Sequence, residues 1–191
     1  MLKKLILLPT GGGGFSSGVA IGLGVWWGNF PDERYGMVEL LGHEATHSWV
    51  LPFAEPMWNE GLATYVGILL GREFSLNKEA NTTLERWIDN AKRHDPEMTR
   101  FDLAKGEDIP HAVQMGKPMW IFEQLRIEEP RIVSKYLQVK RRLIDPKKQN
   151  RYTADDSVAI LSIAAGRNLF NWFRSLNIDV DPSRTKVASP R

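Results

Sequence analysis

Two histidines and a glutamate in one short segment have the residue types and spacing of a metal-dependent hydrolase. Residues 43–47 read His-Glu-Ala-Thr-His, an H-E-x-x-H motif, within a stretch of helical periodicity. Residues i and i+4 lie about 40° apart around a helix, so the imidazoles of His43 and His47 face the same way and can bind one ion. Glu44 is offset by about 100° from His43, which suits a general base beside the ion rather than a ligand.

Glu60 is the third metal ligand that we predict. The helix carrying the motif is predicted over residues 37–50, and the next helix over residues 56–70. If the two helices are antiparallel neighbours, a rise of about 1.5 Å per residue returns Glu60 to the level of His47. The chain has no cysteine, so a transition metal must use nitrogen and oxygen ligands. Two histidines and a carboxylate indicate catalytic Zn²⁺; the alternative for Glu60 is a surface charge that the helix dipole favours.

The segment around Glu60 resembles a known family. Residues 58–65 read Trp-Asn-Glu-Gly-Leu-Ala-Thr-Tyr, which is similar to the second signature of the gluzincin metallopeptidases, the group of thermolysin and the alanyl and glycyl aminopeptidases. Weaker similarities to the aminopeptidases cover residues 113–125 and 153–173. The resemblance implies a zincin-like catalytic domain and hydrolysis of peptide bonds.

Four features depart from the family pattern. The gap from His47 to Glu60 is shorter than in thermolysin or the aminopeptidases. Thr64 stands where the family has a carboxylate that orients a histidine ligand, and Val113 stands where it has the tyrosine that stabilises the oxyanion. The aminopeptidases' Gly-x-Met-Glu-Asn motif is absent, so their specificity is not expected here. We propose His111 as the oxyanion donor, with Tyr136 and Tyr152 as other candidates. A loop histidine near a helix start is the alternative for His111.

The chain is expected to form one α+β domain over residues 1–181, with a small N-terminal β-sheet followed by a mostly helical lobe. Residues 1–30 are predicted to be β-rich, residues 36–71 to form the active-site helices, and residues 77–177 to form the helical lobe; residues 182–191 are predicted to be a flexible tail. The further helices are predicted over residues 77–94, 111–128, 130–144, 157–165 and 168–176.

A glycine-rich strand could bind the substrate. Strands are predicted over residues 2–9 and 18–27, and the second contains Gly18, Ala20 and Gly22. If this strand lies at a sheet edge, a peptide could add to it by β-augmentation, because glycines permit close approach of another backbone. The alternative is an ordinary buried strand.

Composition restricts the partners. The net charge is +2, which argues against nucleic acid as the main partner. No apolar stretch reaches the length of about 18 residues that a membrane span needs. The start of the chain is predicted to be a strand rather than a signal peptide, which would suit a piece of a longer, secreted or surface protein; compartment and oligomeric state stay open.

Three functions fit these patterns. The first is a zinc-dependent peptidase that uses Glu44 as general base on a peptide or protein substrate. The second is a zinc-containing but catalytically silent module that recognises peptides or glycoproteins, which the departures at Thr64 and Val113 would suit. The third is a helical domain in which the motif is accidental. Bound zinc would exclude the helical domain with an accidental motif. Hydrolysis of a peptide or protein would then distinguish the peptidase from the silent recognition module.

Overall fold

The structure, a computed structural model, describes residues 6–10, 15–17, 20–24, 34–50, 55–106, 108–143 and 153–187. Three strands come first and seven helices follow in this part of the chain. The strands are β1 (Ile6–Thr10), β2 (Phe15–Ser17) and β3 (Ala20–Gly24). The helices are α1 (Arg34–Val50), α2 (Asn59–Glu73), α3 (Asn77–His94), α4 (His111–Glu128), α5 (Ile132–Leu143), α6 (Ala154–Ala165) and α7 (Phe170–Ser175).

The predicted α+β, zincin-like fold is wrong, because the described residues are mostly helical. The strands are no longer than five residues, whereas six of the described helices have 12 to 18 residues. Most of the buried apolar side chains lie on helices. Packing of helices therefore dominates the described part of this fold.

The positions of the helices agree with the sequence prediction within a few residues. The helices predicted over residues 77–94 and 111–128 coincide with α3 and α4, and α1 begins three residues earlier than predicted. None of the described helices is both long enough and apolar enough to cross a membrane.

Two compact units can be distinguished by the density of contacts within the chain. The first consists of Met1–Leu51 and Ala63–Glu85, and the second of Pro52–Leu62 and Arg86–Arg191. The first unit holds the strands, α1, most of α2 and the beginning of α3. The second holds the first turn of α2, the rest of α3 and the helices α4 to α7.

In the first unit, three short strands form one sheet in the order β1-β3-β2. Strand β1 runs parallel to β3, and β2 runs antiparallel to it. Helix α1 contacts β2 and β3, and Ile21 of β3 is completely buried. The predicted strands over residues 2–9 and 18–27 correspond to β1 and β3, while β2 was not predicted.

In the second unit, aromatic side chains form the centre of the core. Trp58 packs against Phe122, Tyr136 and Phe173, with ring centroids 5.2–6.2 Å apart. Helix α5 packs against α4 and α6, and α6 also contacts α7. Because Trp58 directly precedes α2 and is 1% exposed, this core holds the start of α2 in place.

Residues 182–187, which belong to the predicted flexible tail, are bound to α6. The guanidinium of Arg184 pairs with Asp155 at 3.0 Å. The Thr185 hydroxyl and the Lys186 backbone N–H both donate to a carboxylate oxygen of Asp156, at 2.8 and 3.1 Å. Two adjacent acidic residues in the first turn of α6 thus hold this segment, and its polar composition did not reveal these partners.

Candidate metal centre

Two imidazole rings on α1 bring their Nε2 atoms together. The Nε2 atoms of His43 and His47 are 3.1 Å apart, and the ring planes meet at 76°. Tetrahedral zinc binds imidazole nitrogen at about 2.0–2.1 Å, which puts two such nitrogens about 3.3 Å apart. The observed distance therefore fits two ligands of one ion. The short distance between the two nitrogens follows from the i, i+4 spacing of the two residues on a single helix.

Thr64 supports the first of these histidines. Its Oγ1 lies 3.0 Å from Nδ1 of His43, and its side chain is buried. When Nδ1 carries the proton and donates it to this hydroxyl, Nε2 keeps a lone pair for an ion. Thr64 thus contacts His43 from the position at which the family resemblance implies a carboxylate.

Glycines let α1 and α2 approach closely enough for that contact. A Cβ atom on Gly42 would lie 2.8 Å from the Cα of Gly67, and a Cβ on Gly67 would lie 2.3 Å from the backbone oxygen of Glu39. Real Cβ atoms do not come this close to a neighbouring backbone, so larger residues would force the helices apart. The short Thr64 side chain reaches His43 because the two backbones touch here.

Glu60 lies one turn before Thr64 on α2, and it joins the two histidines in a group able to hold a metal. One ligand atom each from His43, His47 and Glu60 lie within 4.8 Å of one another. Two imidazole nitrogens and one carboxylate oxygen form a donor set of the kind that binds zinc in catalytic sites.

The predicted base, Glu44, follows His43 on α1. Its side chain is only 5% exposed, in contrast to the exposed carboxylate of Glu60. The carboxylate of Glu44 is therefore largely shielded from bulk water.

Within the second unit, Glu60 and His111 both line a cavity of about 240 Å³. His111 is the first residue of α4, is exposed, and packs edge to face against Trp87 at 6.0 Å between ring centroids. Apolar side chains form much of the remaining wall of the cavity; they include Met57, Leu103, Ile109 and Met115. The predicted oxyanion donor therefore shares a cavity with one predicted metal ligand.

The other candidates for an oxyanion donor have different positions. Tyr136 is completely buried, and its hydroxyl donates to Glu55 at 2.9 Å. Val113 is also completely buried. Tyr152 lies outside the described residues. His111 is thus the one proposed donor among the described candidates that lines the cavity.

The strand that was predicted to bind a peptide substrate does not lie at an edge of the sheet. Ala20 and Gly22 lie in β3, which pairs with β1 on one side and with β2 on the other. Their backbone groups already face two strands, so a peptide cannot add to the sheet at these residues. The expectation missed β2, whose three residues turn β3 into the central strand. Gly18 lies outside the described residues.

Sequence reasoning missed Glu55, a buried carboxylate just before α2. Its partners Tyr136, Lys140 and Ser157 lie on α5 and α6. Burial lowers the pKa of Lys140, and the neighbouring Glu55 carboxylate opposes that shift. No spacing rule connects residue 55 with residues so far along the chain, so only the tertiary structure reveals the group.

Comparisons of the chain with protein-family models, curated proteins and solved structures give no match.

Proposed function

We propose that this chain is a zinc-dependent peptidase in which His43, His47 and Glu60 hold the ion and Glu44 is the general base. The observation that carries the proposal is the convergence of the two Nε2 atoms, 3.1 Å apart, with Glu60 in the same group. The contact of His43 with Thr64 adds support, because ligand histidines in metal sites normally bind a second partner through the other ring nitrogen.

The residues have distinct roles in the proposed reaction. Zinc, when bound, polarises a scissile carbonyl and makes water a better nucleophile. Glu44 takes a proton from the attacking water and delivers it to the leaving amine. His111 is the proposed donor to the developing oxyanion, and its place in the cavity that Glu60 also lines supports this role.

Glu44→Gln tests the reaction most directly. We expect chelator-free wild-type protein to contain about one zinc per chain and to cleave an unfolded, fluorescently labelled protein. Glu44→Gln should keep the zinc and lower the cleavage rate by about 10²- to 10⁴-fold, because the amide cannot accept the proton. Elemental analysis and a fluorescence assay measure the two quantities. Glu79→Gln, an exposed position on α3, is the matched control and should change neither.

The same assay separates the alternatives. Zinc in the wild-type protein without any cleavage would contradict the peptidase and favour the silent recognition module. His43→Ala should remove the zinc, whereas His94→Ala, an exposed histidine at the end of α3, should leave it. If His111→Ala changes neither zinc content nor turnover, His111 has no part in the mechanism.

A further inference from the structure

Glu55 is held in the protein interior by groups from two helices. Its carboxylate accepts hydrogen bonds from the Tyr136 hydroxyl at 2.9 Å, from the Ser157 hydroxyl at 3.1 Å and from the Lys140 ammonium. We refer to Glu55, Tyr136, Lys140 and Ser157 as the Glu55 cluster. Glu55 and Lys140 are each 3% exposed, and Tyr136 and Ser157 are completely buried. Because a buried charge is stable only while it is paired and hydrogen-bonded, the cluster gives residue 55 one well-defined position.

Asn59 connects residue 55 to the predicted metal ligand. The backbone N–H of Glu55 donates to Oδ1 of Asn59 at 3.3 Å. The Nδ2 group of Asn59 donates to Oε1 of Glu60 at 2.7 Å. Only one orientation of the amide serves both contacts, since the oxygen must face the N–H and the NH₂ group must face the carboxylate. The Glu55 contact therefore determines which side of Asn59 faces Glu60.

The backbone beside Glu60 is confined as well. A Cβ atom on Gly61 would lie 2.9 Å from the backbone oxygen of Met115 and 3.0 Å from the Pro118 ring. The first turn of α2 is thus in direct contact with α4. Glu60 has an exposed side chain on a tightly held backbone, and the hydrogen bond from Asn59 to its carboxylate limits the rotamers that this side chain can adopt.

We propose that Asn59 is a positioning residue for the ligand Glu60, and that the Glu55 cluster is the anchor that holds Asn59 in the required orientation. This inference rests on the proposed function, because it assigns Asn59 a role toward the ion that Glu60 would bind. The bond from Asn59 orients the carboxylate without exhausting its capacity as a ligand, since a carboxylate has about four acceptor positions.

A double-mutant cycle on zinc affinity tests the inference. We measure zinc dissociation constants by competition with a chromogenic chelator for the wild type, Asn59→Ala, Glu60→Ala and the double variant. Asn59→Ala should weaken zinc binding by about tenfold, within the range typical of residues that orient metal ligands. In the Glu60→Ala background, the same substitution should have no further effect, because the carboxylate that Asn59 orients is gone.

Two further variants complete the design. Asn81→Ala is the matched control, since the exposed Asn81 side chain accepts from the half-buried Arg72 at 3.0 Å and zinc affinity should stay at the wild-type value. Asn59→Ser keeps an acceptor near the Glu55 N–H but is too short to serve both contacts. It should weaken zinc binding as Asn59→Ala does, which provides the measurement if the alanine variant does not fold.

The zinc affinities of these variants distinguish a failure of the inference from a failure of the proposed function. Wild-type affinity in both Asn59 variants would overturn the inference, and so would an equal loss in the presence and absence of Glu60. If zinc binding depends on Glu60 while the Asn59 variants bind normally, the proposed metal centre stands and only the positioning role fails. If the wild-type protein binds no zinc, both the proposed function and the inference are contradicted.

Discussion

The histidine pair in the first unit and the carboxylate in the second are supported in different ways. His43 receives its orienting contact from Thr64, at a place where two helices meet backbone to backbone at Gly42 and Gly67. Glu60 receives its contact from Asn59, which is bound to the backbone of the buried Glu55. The contact to His43 depends on the close approach of two helices and involves no ion pair. The contact to Glu60 depends on a residue that is held by a buried ion pair.

The two supports are sensitive to different kinds of substitution. A helix crossing at glycines fails when a side chain is added, because the backbones must separate. An ion pair fails when one partner is removed, because the remaining charge is buried without compensation. Substitutions that act on one kind of support can therefore be distinguished from those that act on the other.

Loss of Lys140 should produce the largest change in stability. Lys140→Met leaves the Glu55 carboxylate buried without its cation, and we expect the free energy of unfolding to fall by about 3–5 kcal/mol. Urea denaturation followed by circular dichroism measures the change. Zinc affinity should fall in parallel if the cluster holds Asn59.

The double variant Lys140→Met with Glu55→Gln is the control for charge. It removes both charges together, so most of the lost stability should return. A double variant as unstable as Lys140→Met alone would show that packing, not the ion pair, supports the start of α2.

Gly67→Ala should have the next largest effect, on the histidine side. The new Cβ would lie 2.3 Å from the Glu39 backbone oxygen, and overpacking of this kind costs about 1–3 kcal/mol in the free energy of unfolding. The cost should outweigh the roughly 1 kcal/mol that alanine gains over glycine in a helix. Urea denaturation measures the stability, and chelator competition measures zinc affinity, which should also fall.

Gly71→Ala provides the comparison for this prediction. Its Cβ would meet the ring of Tyr35 at 2.8 Å, a side chain instead of a backbone. A ring can turn aside more easily than a helix can move, so the loss should be smaller than for Gly67→Ala. Equal losses in the free energy of unfolding for the two variants would show that the close approach of the helix backbones at Gly67 has no special cost.

Thr64→Val should have the smallest effect on stability, and its main effect should be a lower affinity for zinc. Valine has nearly the shape of threonine but cannot bind Nδ1 of His43, so we expect zinc affinity to fall by about tenfold. Chelator competition measures it. Thr46→Val is the matched control, because that buried hydroxyl donates to the backbone oxygen of Gly42 at 2.7 Å and not to a ligand. Equal zinc losses in both variants would remove the orienting role of Thr64.

Local patterns predicted the helices well but misjudged the fold class. The periodicity of residues 77–94 and 111–128 is sufficient to place α3 and α4, because hydrophobic spacing is a property of adjacent residues. The predicted α+β fold is wrong because the three described strands are short, with five residues at most. The short β2, which removes the edge from β3, has only three residues and left no usable pattern.

The amino-acid order is enough to predict that the two histidines lie close together, since residues i and i+4 on one helix project to the same side whatever surrounds them. It also supplied the candidates Glu44, Glu60 and His111. The contacts of Thr64 with His43, of Tyr136 with Glu55, and of Glu55 with Lys140 become visible only in the folded chain. No local pattern predicts these contacts, because they join residues many positions apart that meet only when helices pack.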